Sequence, residues 1–101
     1  MNGYNIVTEF LGRSRKKEKL SRWNKLSSQE QIRFWNMSSI YQQRHMIYIQ
    51  KYKELKTTGD KLTPSEVKYW VGQHRDGMVY AKDKIRSIQS GKEVSPSPMF
   101  R

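Results

Sequence analysis

An all-α fold, a small three-helix domain with two long antiparallel helices and a basic N-terminal helix, is predicted by three observations. Two helix-start signatures stand 36 residues apart, Ser27-x-x-Glu30 and Thr63-Pro64-x-Glu66. No Gly or Pro interrupts residues 27–58. Apolar residues recur at three- and four-residue steps from Val67 to Ile88. Each is a property of helices: side chains three and four apart share a face, and a Ser or Thr followed three residues later by Glu satisfies the orphan amides of a first turn.

The central helix is expected over residues 27–57. Ser27 would accept from the amide of Glu30, whose carboxylate would reach back to the amide of Ser27. Phe34, Tyr41, Tyr48 and Leu55 then recur every seven residues, and Met37, Ile40, Ile47 and Tyr52 widen the same stripe. That stripe is the expected packing face. Uninterrupted, the helix would extend about 45 Å at 1.5 Å per residue. Thr57-Thr58-Gly59-Asp60 is turn chemistry and is expected to end it.

The last helix is expected over 64–90. Thr63 is its N-cap, Pro64 its first residue, and Leu62 and Val67 form a hydrophobic staple. Val67, Val71, His74, Met78, Ala81, Ile85 and Ile88 make a heptad seam of the kind that packs on another helix. Asp76-Gly77 offers a break into two shorter helices, and Ser90-Gly91 stops the pattern. Residues 92–101 read as an extended tail, since each Ser-Pro step disfavours helix at the serine. A frayed terminus is the favoured reading there, a docking hook at Met99-Phe100 the alternative.

Before the central helix, residues 13–25 form a basic helix with a narrow stripe of Leu20, Trp23 and Leu26. Residues 1–12 read as an arm or a short helix, with Ile6, Val7, Phe10 and Leu11 apolar and Gly12 as its end. The domain organisation is therefore an arm (1–12), one helical domain (13–91) and a tail (92–101).

Composition narrows the function. Twenty Lys and Arg oppose nine Asp and Glu, for a net charge of +11 in 101 residues. Such a charge repels itself until a polyanion or acidic surface neutralises it. Without cysteine there are no disulfides and no thiolate metal sites. No apolar run reaches the length of a membrane span, so no membrane partner is expected. The N-terminus lacks a signal-peptide core, and an intracellular location follows as the expectation: cytoplasm, nucleus, an infected cell or a virion. No Gly-rich phosphate loop is present, the two histidines have no ligand spacing, and the nine carboxylates are scattered. No catalytic constellation, metal or cofactor is expected, and the chain reads as a non-enzyme. His74, on the seam, reads as a satisfied core histidine.

The leading expectation is a non-enzymatic, sequence-tolerant nucleic-acid-binding protein. Arg13, Arg15, Lys16, Lys17, Lys19, Arg22 and Lys25 would contact phosphates, aided by Arg33 and Arg44, with DNA favoured over RNA. The alternative is a small basic adaptor or inhibitor of viral or accessory type, binding an acidic surface of a larger protein or assembly. Its partner contacts would come from Trp35, Tyr69, Met99 and Phe100, and the 67–88 seam would offer a route to homo-oligomers. Most of the aromatics are expected in the core, with Trp35 and Tyr69 the exceptions.

Trp23, Leu26-Ser27, Glu30, Phe34, Met37-Ser38, Arg44 and Tyr52 follow in an order and spacing that resembles the second half of an HMG box, the L-shaped three-helix domain that bends DNA. The resemblance covers residues 23–52. It implies DNA as the ligand and a helical corner after Trp23. Only 22 residues precede Trp23, His45 stands where the family has Tyr, Arg33 replaces the family's proline, and residues 63–90 have no counterpart. The matching positions are mostly those that pack the box, so its intercalating role is not carried over.

Overall fold

A computed structural model describes residues 15–101. Residues 15–24 are helical and form α1. Helix α2 runs Ser28–Tyr52 and α3 runs Pro64–Gln89. No strand forms among the described residues beyond an isolated bridge between Glu54 and Lys61. The all-α class and the antiparallel hairpin are as the sequence predicts. The molecule is flat, measuring 46 × 43 × 16 Å.

Both capping boxes form. Ser27 Oγ accepts from the Glu30 amide at 3.2 Å, and Glu30 Oε1 accepts from the Ser27 amide at 3.3 Å. At α3, Thr63 Oγ1 accepts from the Glu66 amide at 3.3 Å and Glu66 Oε1 from the Thr63 amide at 3.0 Å. These hydrogen bonds hold the Glu66 carboxyl below its usual range. Helix α2 stops at Tyr52, five residues short of the expected end. Lys53 turns left-handed (φ 55°), and its amide closes on Ile49 O. The chain then doubles back, with Leu62 N donating to Lys53 O at 2.8 Å and Leu55 N to Asp60 O at 2.9 Å. Gly59, at φ 75°, supplies the positive dihedral this corner needs.

The α3 seam packs as its spacing predicts: Val71, Ala81 and Ile88 are buried, and Val67, His74, Met78 and Ile85 are half-buried. No break occurs at Asp76-Gly77. Gly77 instead permits close approach, because a Cβ there would meet Gln42 Cδ at 2.8 Å.

The packing face of α2 is not the expected one. The residues turned inward are Trp35, Ser38, Ser39, His45 and Ile49. Met37, Ile40, Tyr41, Ile47 and Tyr52 lie outward, between 38% and 51% exposed. Of the seven-residue series, Phe34, Tyr48 and Leu55 are half-buried and Tyr41 is exposed. The reason is the closeness of α3. Gln42 fits opposite Gly77 and His74, and small Ser38 and Ser39 are buried on the same helix, where larger Met, Ile and Tyr side chains would hold the helices apart.

The core closes where all the segments converge. Trp23, Trp35, Ala81, Ile88 and Phe100 form one buried cluster, with Leu26, Ile32, Phe34, Ile85 and Val94 against it. The rings of Trp23, Phe34 and Phe100 pack edge-on or tilted at 5.2–6.3 Å. Residues 92–101 are extended, as expected, but they are neither frayed nor a hook for a partner. They cross the helices as a strap. Trp23 Nε1 donates to Val94 O at 2.9 Å and Trp35 Nε1 to Ser95 O at 3.2 Å. Fully buried Ser97 donates its hydroxyl to Phe34 O at 3.0 Å.

Candidate nucleic-acid interface

Among the described residues, helix α1 is anchored through Trp23 in its last turn. Trp23 is fully buried and Lys19 is half-buried, while 15–18, 20–22 and 24 are exposed. The expected stripe is thus shorter than its spacing suggested: Leu20 is 45% exposed, and Trp23 with half-buried Leu26 carries the packing. Gln31 Nε2 caps the corner, donating to Trp23 O at 3.0 Å.

Exposure makes α1 a cationic surface. Arg15, Lys16, Lys17, Lys19, Arg22 and Lys25 share residues 15–25 with one acid, Glu18. The ion pairs among the described residues are Lys61–Glu54 at 3.8 Å and Arg86–Asp83 at 2.9 Å, and neither involves α1. Arg13 lies outside the described residues. Arg22 has a second engagement: its guanidinium donates to Arg101 O at 3.2 Å and lies 5.5 Å from the Phe100 ring centroid. It therefore helps dock the strap while remaining exposed.

Arg33 and Arg44 are both exposed on α2. Eleven residues apart, they lie on one face about 16 Å from each other. The structure so divides the expected phosphate contacts between two elements, a compact set on α1 and a spaced pair on α2.

The four aromatic or apolar residues expected to meet a partner are separated by the fold. Trp35 is 2% exposed, its ring 5.7 Å from Tyr80, and Phe100 is 6% exposed. Both are core residues, and that corrects their expected place on a docking surface. Met99 is half-buried, and Tyr69 is 58% exposed beside Trp70. The α3 seam packs against α2 of the same chain, with Val71, Ala81 and Ile88 buried and Val67, His74, Met78 and Ile85 half-buried.

No family model, no curated protein and no solved structure matches this chain. Functional inference therefore rests on its own residues.

A second cluster occupies the middle of the α2–α3 interface. His74 Nδ1 lies 2.7 Å from Gln42 Oε1, and the imidazoles of His45 and His74 are tilted 36° to each other with centroids 5.3 Å apart. His74 is hydrogen-bonded, as its position on the seam predicts, but half-buried between the helices and not in the buried core. Among the described residues no group of three or more His, Cys, Asp or Glu converges to hold a metal. No described helix is long and apolar enough to cross a membrane.

Burial lowers both histidine pKa values from 6.5, helped by Lys56 near His45 and by His45 near His74. A depressed folded-state pKa means the unfolded chain binds the protons first. The stability that depends on neutral imidazoles is thus complete above about pH 6.5 and is lost as pH falls below it through the folded-state values. Urea melts at pH 7.5 and 5 should show a lower midpoint at pH 5. Replacing both His45 and His74 with Gln should flatten that difference, and an equal acid loss in the double variant would assign it to other groups.

Proposed function

We propose that this chain is a non-enzymatic nucleic-acid-binding protein that engages phosphates through α1 in a sequence-tolerant manner, inside the cell. One observation carries the reading: six cations within residues 15–25, five of them exposed, with no ion pair to any of them among the described residues. Counterion release would drive binding. Arg33 and Arg44 would extend the contact along α2. The resemblance of residues 23–52 to half of an HMG box supports duplex DNA as the first ligand to try. The flat shape supports it too, since a thin molecule with a projecting basic helix can lie along a duplex without a cleft.

The test is binding to duplex DNA, single-stranded DNA and RNA, followed by fluorescence anisotropy across a salt series. The slope of log K against log salt should fall by about 2.7 when Arg15, Lys16 and Lys17 are all replaced by Ala, at about 0.9 per phosphate contact on duplex DNA. The three side chains are exposed, so the melting temperature should stay within about 3 °C of the parent. An unchanged slope removes α1 from the interface, and binding lost well below physiological salt reduces the charge to a general polyanion attraction.

A further inference from the structure

The outward face of α2 holds a groove that neither the hairpin nor α1 uses. Its volume is about 550 Å³. Met37, Ile40, Tyr41 and Arg44 line it along α2, Lys56 closes one side from the turn, and Met99 closes another from the strap. Buried His45 also lines it. Among the described residues no carboxylate lines it.

We propose that this groove binds an amphipathic acidic helix of a partner protein. The chemistry of the lining selects that occupant. Met37, Ile40 and Tyr41 are 38–42% exposed and adjacent, a contiguous apolar surface that water solvates poorly. Met37, Ile40, Tyr41 and Arg44 fall at i, i+3, i+4 and i+7, the ridge that a second helix packs against. Two flexible methionines let the groove adapt to the side chains it receives. Arg44 and Lys56 flank the apolar floor, so the partner presents Asp or Glu beside its apolar stripe.

The same charges argue against other occupants. A symmetric dimer through this face would set the Arg44 and Lys56 of one copy against those of the other, in a chain that already carries +11. A nucleic-acid backbone would gain nothing from the apolar floor. The groove lies away from α1 and shares only Arg44 with the proposed phosphate contacts, so the proposal does not depend on the nucleic-acid reading.

The experiment uses the full chain, uniformly ¹⁵N-labelled, with two synthetic helical peptides. Both have Leu and Phe at i, i+3, i+4 and i+7, one with Glu flanks and one with Lys flanks. The Glu peptide should give saturable amide shifts centred on Met37, Ile40, Tyr41, Arg44, Lys56 and Met99, and the Lys peptide none. Ile40→Glu should weaken the affinity at least tenfold while duplex-DNA binding persists. Met37→Glu serves as the second variant if Ile40→Glu fails to fold. Shifts confined to α1, no saturable shift with the Glu peptide, or affinity that survives a folded groove variant would overturn the proposal. So would a concentration-dependent dimer lost on Ile40→Glu, which assigns the groove to a second copy, or duplex DNA shifting the groove residues in preference to α1.

Discussion

Trp23→Ala should lower stability by about 3–5 kcal/mol, the usual loss for a buried Trp. Small domains are stable by about 5–15 kcal/mol in total, so the variant should sit close to unfolding at 37 °C. Trp23 has no exposed surface, stacks edge-on against Phe100 at 5.3 Å and donates to Val94 O. It is also the buried residue of α1, so its loss frees the basic helix as well as the strap. Thermal and urea melts followed by circular dichroism would measure the effect. Trp23→Phe should keep most of the ring contact while removing the indole donor, for a loss of about 1–2 kcal/mol. Equal losses in the two variants would mean that the hydrogen bond, not the ring, holds the corner.

Ending the chain at Glu93 should be nearly as damaging, at about 4 kcal/mol, because Phe→Ala alone in a core costs about 3–5. The deletion removes Phe100 and half-buried Val94, and it strips Trp23 Nε1 and Trp35 Nε1 of their acceptors. A buried donor without a partner costs about 1–3 kcal/mol, though water entering the vacated channel would recover part of it. Phe100→Ala in the full chain should reproduce most of the loss, while Pro98→Ala, at an exposed position, should have little effect. A truncated chain that melts with the parent would show the strap to be ornamental.

The strap also marks where the sequence stopped being informative. Its Ser-Pro steps correctly indicate extended backbone, a local property. Its docking depends on Trp23–Val94, Trp35–Ser95 and Phe34–Ser97, pairs 71, 60 and 63 residues apart, which no local pattern encodes. Caps are legible because donor and acceptor lie within three residues, and both boxes formed at the expected positions. The α3 seam was legible because its heptad is apolar. The α2 face was not, because hydrophobicity points to Met37, Ile40 and Tyr41 while the helix packs through Ser38, Ser39 and Gln42. Closeness to α3 outweighed apolar area, and the residues left outside became the groove. The end of α2 was missed because a lysine, not a glycine, takes the left-handed cap. The cations of α1 were readable from composition. Their exposure, and the added role of Arg22 against Phe100, needed the fold.

Residue Phe100 completes a cluster that Trp23 begins, and the chain is made in the order of its sequence. The α2–α3 hairpin is local and can assemble as soon as both helices exist, since short loops close quickly. The aromatic clasp forms only once Phe100 is present to meet Trp23. Without it, Trp23 keeps Phe34 as an aromatic neighbour but lacks the Phe100 ring. Docking of Phe100 on Trp23 is a latching contact between rings 77 positions apart in the sequence.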